Sequence, residues 1–87
     1  MTPIPHDRIG CLIMGCRRTY KREPDEGEGA EVMCGDHYRL GDKALRQLRT
    51  KLKRTARRTG WTPRLGRIDA WLWERIKRQA NERAMGL

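Results

Sequence analysis

Two stretches of the chain repeat apolar residues at helical spacing. Over 43–58, Ala44, Leu45, Leu48, Leu52 and Ala56 fall on one stripe at about 100° per residue. Asp42 stands before the stretch as a candidate N-cap, and Gly60 follows it as a helix-closing glycine. The alternative is a turn that runs on through Gly41. A second stripe holds Leu65, Ile68, Leu72, Ile76 and Ala80, preceded by Thr62, which can cap, and Pro63, which suits a first helical position. Gly66 leaves open a later start at Asp69, and Gly86 marks the end. Trp73 lies at the stripe's edge and reads as core. Trp71 lies about 100° from the stripe's centre and reads either as packing or as an exposed anchor.

The front of the chain lacks this period. Residues 17–22 and 31–33 read as the two short arms of a hairpin whose tip is the acidic, Gly/Pro-containing stretch 23–31. Residues 34–40 read as one helical turn. The expected fold is small and mainly α: a front module with a knuckle and a short β-hairpin, then two amphipathic helices forming an antiparallel hairpin or a helix-turn-helix-like corner. This divides the chain into a tail (1–10), a module (11–40) and a basic helical hairpin (41–87).

Composition turns the front module into a metal question. The chain has 87 residues, 37% of them hydrophobic, and no Phe. One domain of this size buries only roughly 60–65% of the surface its unfolded form exposes, so an additional staple is expected. Three cysteines cannot all pair within one chain and suit a metal better than a disulfide framework. Cys11, Cys16, Cys34 and His37 follow the spacing C-x4-C-x17-C-x2-H, a four-ligand Cys3His set. Each short spacer lets one turn of backbone aim two ligands at one ion, and Gly15 and Gly35 sit where a knuckle turns sharply. The expected cofactor is one structural Zn2+, which can contribute on the order of 10–16 kcal/mol to folding. His6 is a rival fourth ligand. Two buried thiols, one free thiol and an exposed His37 form the reading without metal.

A closed four-ligand site leaves no open position for catalysis. The chain has no serine and two histidines, and its carboxylates cluster on a loop with nothing to orient them. No enzyme activity is expected. No run approaches the ~18 apolar residues of a membrane span, and 1–10 has no apolar core of a secretory signal. The expected location is therefore the cytoplasm.

The charge is unevenly placed. Residues 1–38 hold five Lys/Arg against seven Asp/Glu, whereas 39–87 hold fifteen against four. The chain totals +9. From 39 to 67 the only acid is Asp42. Lys43, Arg46, Arg49, Lys53, Arg54, Arg57 and Arg58 on the first helix, with Arg64 and Arg67 beyond it, are the candidate phosphate contacts. The other reading of such a face is ordinary solvation. Trp71 and Trp61 are candidate stacking or partner anchors.

A hairpin followed by ligands at a helix start resembles the treble-clef type of zinc finger. The stretch Cys34-Gly35-Asp36-His37-Tyr38-Arg39, with Leu45 and Arg46 downstream, is similar to small zinc-binding proteins encoded by phages and prophages. In those, C-x-x-H-aromatic-Arg precedes a Leu/Arg-rich helix. The resemblance implies small size, zinc and a mobile-element origin, and no activity. Position 38 is Tyr where the pattern has Trp, and no proline opens the next helix.

Two function classes follow. One is a zinc-stabilised nucleic-acid-binding protein, a small regulator with DNA ahead of RNA as its target. The other is an adaptor or inhibitor that binds an acidic or nucleic-acid-binding protein through its basic face and Trp71 or Trp61. A second copy of the chain could also pair through the apolar side of the last helix. The sequence does not separate these readings.

Overall fold

A computed structural model describes residues 7–23 and 30–86. Two short strands, β1 (Arg8–Gly10) and β2 (Thr19–Lys21), are followed by a single helical turn, α1 (Gly35–Tyr38), and two long helices, α2 (Lys43–Thr59) and α3 (Pro63–Ala84). The architecture is small and mainly helical, as the two apolar periods predict. Among the described residues, no helix is long and apolar enough to cross a membrane.

The front module differs from expectation in its strand pairing. The arm at 17–22 does form a strand, but its partner is β1, in the segment read as a tail. They pair antiparallel with Ile9 opposite Tyr20. Arg8 fixes the register by donating from Nε to Thr19 Oγ1 at 2.7 Å and from Nη2 to the Thr19 carbonyl at 2.9 Å. The other expected arm, 31–33, touches the sheet only through a parallel bridge between Val32 and Cys11. Loop length does not decide between them, since 11–18 and 23–30 are eight residues each. The physical reason is bonding, with the Arg8 side chain on Thr19 and the Cys11 N–H on the Arg18 carbonyl holding β2 against β1. The tip of the expected hairpin, 24–29, lies outside the described residues, as does His6.

The helices start and stop where their caps dictate. Asp42 accepts the Ala44 N–H at 2.9 Å, and Thr62 accepts the Leu65 N–H at 3.1 Å. Helix α3 runs unbroken through Gly66. Joined by three residues, α2 and α3 form an antiparallel hairpin. Its level is set by two ties: the Asp42 N–H donating to Gln79 Oε1 at 2.7 Å, and Arg49 Nε to Asp69 Oδ1 at 2.9 Å.

Helix α3 is the common wall of two small cores. Leu52 and Ala56 are buried on α2, and Leu72 and Ile76 are buried on α3, with Ile76 against Gly41. Ala80, one turn on, packs with Cys11, Ile13 and Cys34 of the front module. Three further contacts tie the module to α3. Glu31 accepts two hydrogen bonds from Lys77 Nζ, at 2.8 and 3.0 Å, and one from Trp73 Nε1 at 3.3 Å. Arg83 donates to the Leu40 carbonyl. Gly41 is buried against Ile76, and a Cβ there would stand 2.8 Å from Ile76 Cγ2 and 3.3 Å from the Tyr38 carbonyl oxygen.

Gly41→Ala is therefore expected to lower stability by about 1–3 kcal/mol through overpacking. Gly66→Ala, whose Cβ meets nothing within 4 Å inside a helix, should raise it by roughly 0.5–1 kcal/mol. Urea denaturation of the two variants checks both signs.

Lys77, by hydrogen bonding first and charge after, holds the Glu31 carboxyl below its ordinary value, with the Trp73 N–H adding to this. Glu31, and then Glu74, hold the Lys77 ammonium above its ordinary value. The Glu31 contribution is present above the ordinary carboxylate range and is lost as pH falls through its lowered folded value. The Lys77 contribution is lost only as pH rises through its raised folded value. Because Glu31 is 43% exposed, the tie is worth less than about 1 kcal/mol after solvent screening. The stability difference between wild type and Glu31→Gln should therefore be present at neutral pH and vanish in acid, as read by denaturation of both proteins across pH.

Candidate metal centre and basic face

The first ligand pair rides on a turn. Cys11 leaves β1 with its N–H bonded to the Arg18 carbonyl at 2.9 Å, and the chain reverses so that the Cys16 N–H reaches the Ile13 carbonyl at 3.1 Å. Gly15 takes φ +87° in this turn, a left-handed conformation that side chains resist. Gly35 needs no such freedom, since it simply opens α1.

The second pair rides on a helical start. Cys34 is the N-cap of α1, and three residues on the turn returns His37 to the same side. His37 Nδ1 lies 3.1 Å from Cys34 Sγ and 3.7 Å from Cys11 Sγ, and Cys16 Sγ lies 3.9 Å from Cys34 Sγ. All four ligand atoms fall within 4.8 Å of one another. For bonds of ~2.3 Å to sulfur and ~2.0 Å to nitrogen, a tetrahedron has edges of about 3.8 Å between sulfurs and about 3.5 Å between sulfur and nitrogen. The donor atoms are thus already at coordinating distances, and the cluster could hold one metal ion. The four residues that the spacing picks out are the four brought together.

The thiols are prepared unequally. Burial opposes ionisation of Cys34, but the His37 backbone N–H, the thiols of Cys16 and Cys11, and the charge of Arg18 together hold it below the ordinary thiol value. At Cys16 the Arg18 backbone N–H favours the thiolate, but burial and the neighbouring thiols of Cys11 and Cys34 outweigh it and push the group up. Three thiolates this close repel one another unless a cation sits among them. Cys11 also accepts the Cys34 N–H at 3.3 Å, a third backbone donor aimed at sulfur.

Two residues around the cluster escape a reading based on ligand spacing. Asp36, between Cys34 and His37, takes Arg18 at 2.7 Å and Arg39 at 3.0 Å. It links the two knuckles outside the ligand sphere, and Arg18 supplies positive charge beside a sulfur-rich site. The signal in the sequence is only positional: an arginine two residues past Cys16 and an acid inside C-x2-H. Glu31 is the other, assigned by composition to an acidic loop and placed by the fold on Lys77.

The predicted phosphate contacts divide. Lys43, Arg54, Arg57 and Arg58 stand exposed on α2, and Arg64 and Arg67 stand exposed on α3. Among the described residues, none of these six has an ion-pair partner. Arg49 does: it pairs with Asp69 and lies over the Trp73 ring at 4.7 Å. Arg46 donates to the Gly41 carbonyl at 3.0 Å. Lys53 is half-buried, and desolvation first, then Arg49 and Arg57, lower its pKa against the pull of Asp69. Trp73 is half-buried, joined to Glu31 and Arg49, so it is a wall residue rather than a core one. Trp71 and Trp61 are each 55% exposed, with Arg75 over the Trp71 ring at 5.0 Å.

The chain matches no protein-family model, no curated protein and no solved structure. The similarity of residues 34–39 to phage-encoded zinc proteins gains no support from these comparisons.

Elemental analysis of the purified protein is expected to give one metal ion per chain. Cys34→Ser, or removal of the ion by a chelator, should abolish the cooperative thermal transition. A metal-free preparation that stays folded would contradict the assignment.

Proposed function

We propose that this chain is a zinc-stabilised nucleic-acid-binding module, with α2 as its phosphate-contacting element. The metal reading rests on donor chemistry. Three thiolates and one imidazole at tetrahedral spacing suit Zn2+, and four filled positions make the ion structural. Ligands on a knuckle and at the start of a helix also support a treble-clef-like relationship.

The observation that carries the nucleic-acid reading is the unpaired charge of α2. Among the described residues, Lys43, Lys51, Lys53, Arg54, Arg57 and Arg58 have no carboxylate within ion-pair distance. Solvated helix faces ordinarily interleave both signs at i,i+4, and this one does not. Each cation that meets a phosphate releases counterion, worth a salt slope of about 0.9 per contact on duplex DNA. The front module and the Arg49–Asp69 pair hold the helix so that these cations are presented together. A regulatory role in a mobile element rests on the sequence resemblance alone.

One observation favours a second reading, an adaptor or inhibitor that binds another protein. By helical phase, Leu48, Ile68 and Trp71 lie along the edge of the hairpin opposite to Arg49 and Trp73. They are 50%, 36% and 55% exposed, an apolar strip with an aromatic at its centre.

Arg54→Glu combined with Arg57→Glu should cut affinity for nucleic acid at least tenfold and flatten its salt dependence, with the circular-dichroism spectrum unchanged. Trp71→Ala should leave it unaltered. Unchanged affinity in the double variant, measured by fluorescence anisotropy at two salt concentrations, would refute the basic-face reading.

A further inference from the structure

Between α2 and the front module runs a surface that the helix face alone does not describe. Tyr38, half-buried at the end of α1, stands between two open clefts. The first, of about 470 Å³, is walled by Tyr38, Trp73, Arg49 and Lys53, with Glu31 at its far end. The second, of about 390 Å³, is walled by Tyr38, Arg46, Lys51 and Arg54. Thr50 lines both, so the clefts meet at the Tyr38 ring. Each lies within the ~300–1,000 Å³ range of small-molecule clefts, room for one nucleoside residue.

The charge along this path is one-sided. Five cations line it, and the single acid, Glu31, is already engaged by Lys77. Lys53 is the most telling of the five. Partial burial and the neighbouring Arg49 and Arg57, against the pull of Asp69, make its ammonium harder to keep charged, and an anion placed in the cleft would offset the repulsion.

We infer that the two clefts on either side of Tyr38 form one track for single-stranded nucleic acid, with Tyr38 as the stacking platform between successive bases. This rests on the nucleic-acid reading above and narrows its substrate class. Single strands are held by a cationic groove that follows the backbone and by aromatic rings that receive unstacked bases. Both parts are present here, at one place. A duplex instead asks for a projecting element that enters its major groove. Bases still paired and stacked in a duplex cannot receive the ring. Trp73 serves as a wall, since Arg49 already covers its ring at 4.7 Å. The Arg49 guanidinium is itself held by Asp69 at 2.9 Å, which leaves Lys53, Arg46, Lys51 and Arg54 as the cations that face the track.

The test compares ten-nucleotide oligo-dT and oligo-rU with a duplex of mixed sequence, by fluorescence anisotropy on the metal-loaded full chain at one salt concentration. At least one single strand is expected to bind tenfold or more tighter than the duplex. The comparison of dT with rU reads out the sugar preference. Tyr38→Ala should weaken single-strand binding by about 5- to 100-fold while changing duplex binding little, and Tyr38→Phe, which keeps the ring, should restore it. Circular dichroism and metal content of each variant confirm that the fold survives. Should Tyr38→Ala fail to fold, Lys53→Gln takes its place, with the same selective loss expected. Duplex bound as tightly as single strand, or Tyr38→Ala weakening both alike, overturns the track while leaving the nucleic-acid reading intact if Arg54→Glu/Arg57→Glu still loses affinity. Absence of binding to every probe overturns both.

Discussion

Three sulfurs and an imidazole nitrogen within 4.8 Å of one another form an arrangement that only a shared cation makes comfortable. It lies where the turn at 11–16 meets the helical start at 34–37, segments also joined by the Arg18–Asp36 pair and by the Cys11–Val32 bridge. Among the described residues, the buried set contains no aromatic side chain, and two of its three bulkiest fully buried members, Leu72 and Ile76, belong to one helix. The third is Cys34 itself, a ligand. Interior packing and the candidate ligand cluster therefore share residues at the front of the molecule, because Cys11 and Cys34 also fill the space against Ala80.

Helix α3 carries this constraint to the rest of the chain. Its successive turns meet α2 at Leu72, the backbone of Gly41 at Ile76, and the ligand module at Ala80. Along its flank, Trp73 and Lys77 grip Glu31. One face of one helix thus fixes the angle between the module and the basic helix. The clefts beside Tyr38 exist because that angle leaves a gap between them. Their charge follows from which residues line α2 there, and their shape from the contacts that seat the front module on α3.

What could be read in advance was what depends on local chemistry. Asp42, Thr62, Pro63 and Gly60 mark the helix ends because capping involves residues within one turn of each other. The ligand set was legible because four donors at short spacings have few other uses. The strand pairing was not. Residues 8–10 carry no alternation strong enough to compete with the apparent symmetry of 17–22 and 31–33, and the choice turns on side-chain bonds such as those of Arg8 to Thr19. Glu31 was equally hidden, since its partner lies 46 residues away and its neighbours are acidic. Arg49 looked like its basic neighbours, and only Asp69, on the other helix, sets it apart. These are long-range pairings, and a periodicity along one segment says nothing about them.

The protein measures 42 × 35 × 16 Å, so its least dimension barely exceeds the ~10–12 Å diameter of a single helix with its side chains. Such a wafer has two broad sides and almost no middle. By helical phase the clefts beside Tyr38 and the Leu48–Ile68–Trp71 strip lie on opposite flanks of the helix pair. A body this thin keeps two such surfaces close together while leaving each open to the outside.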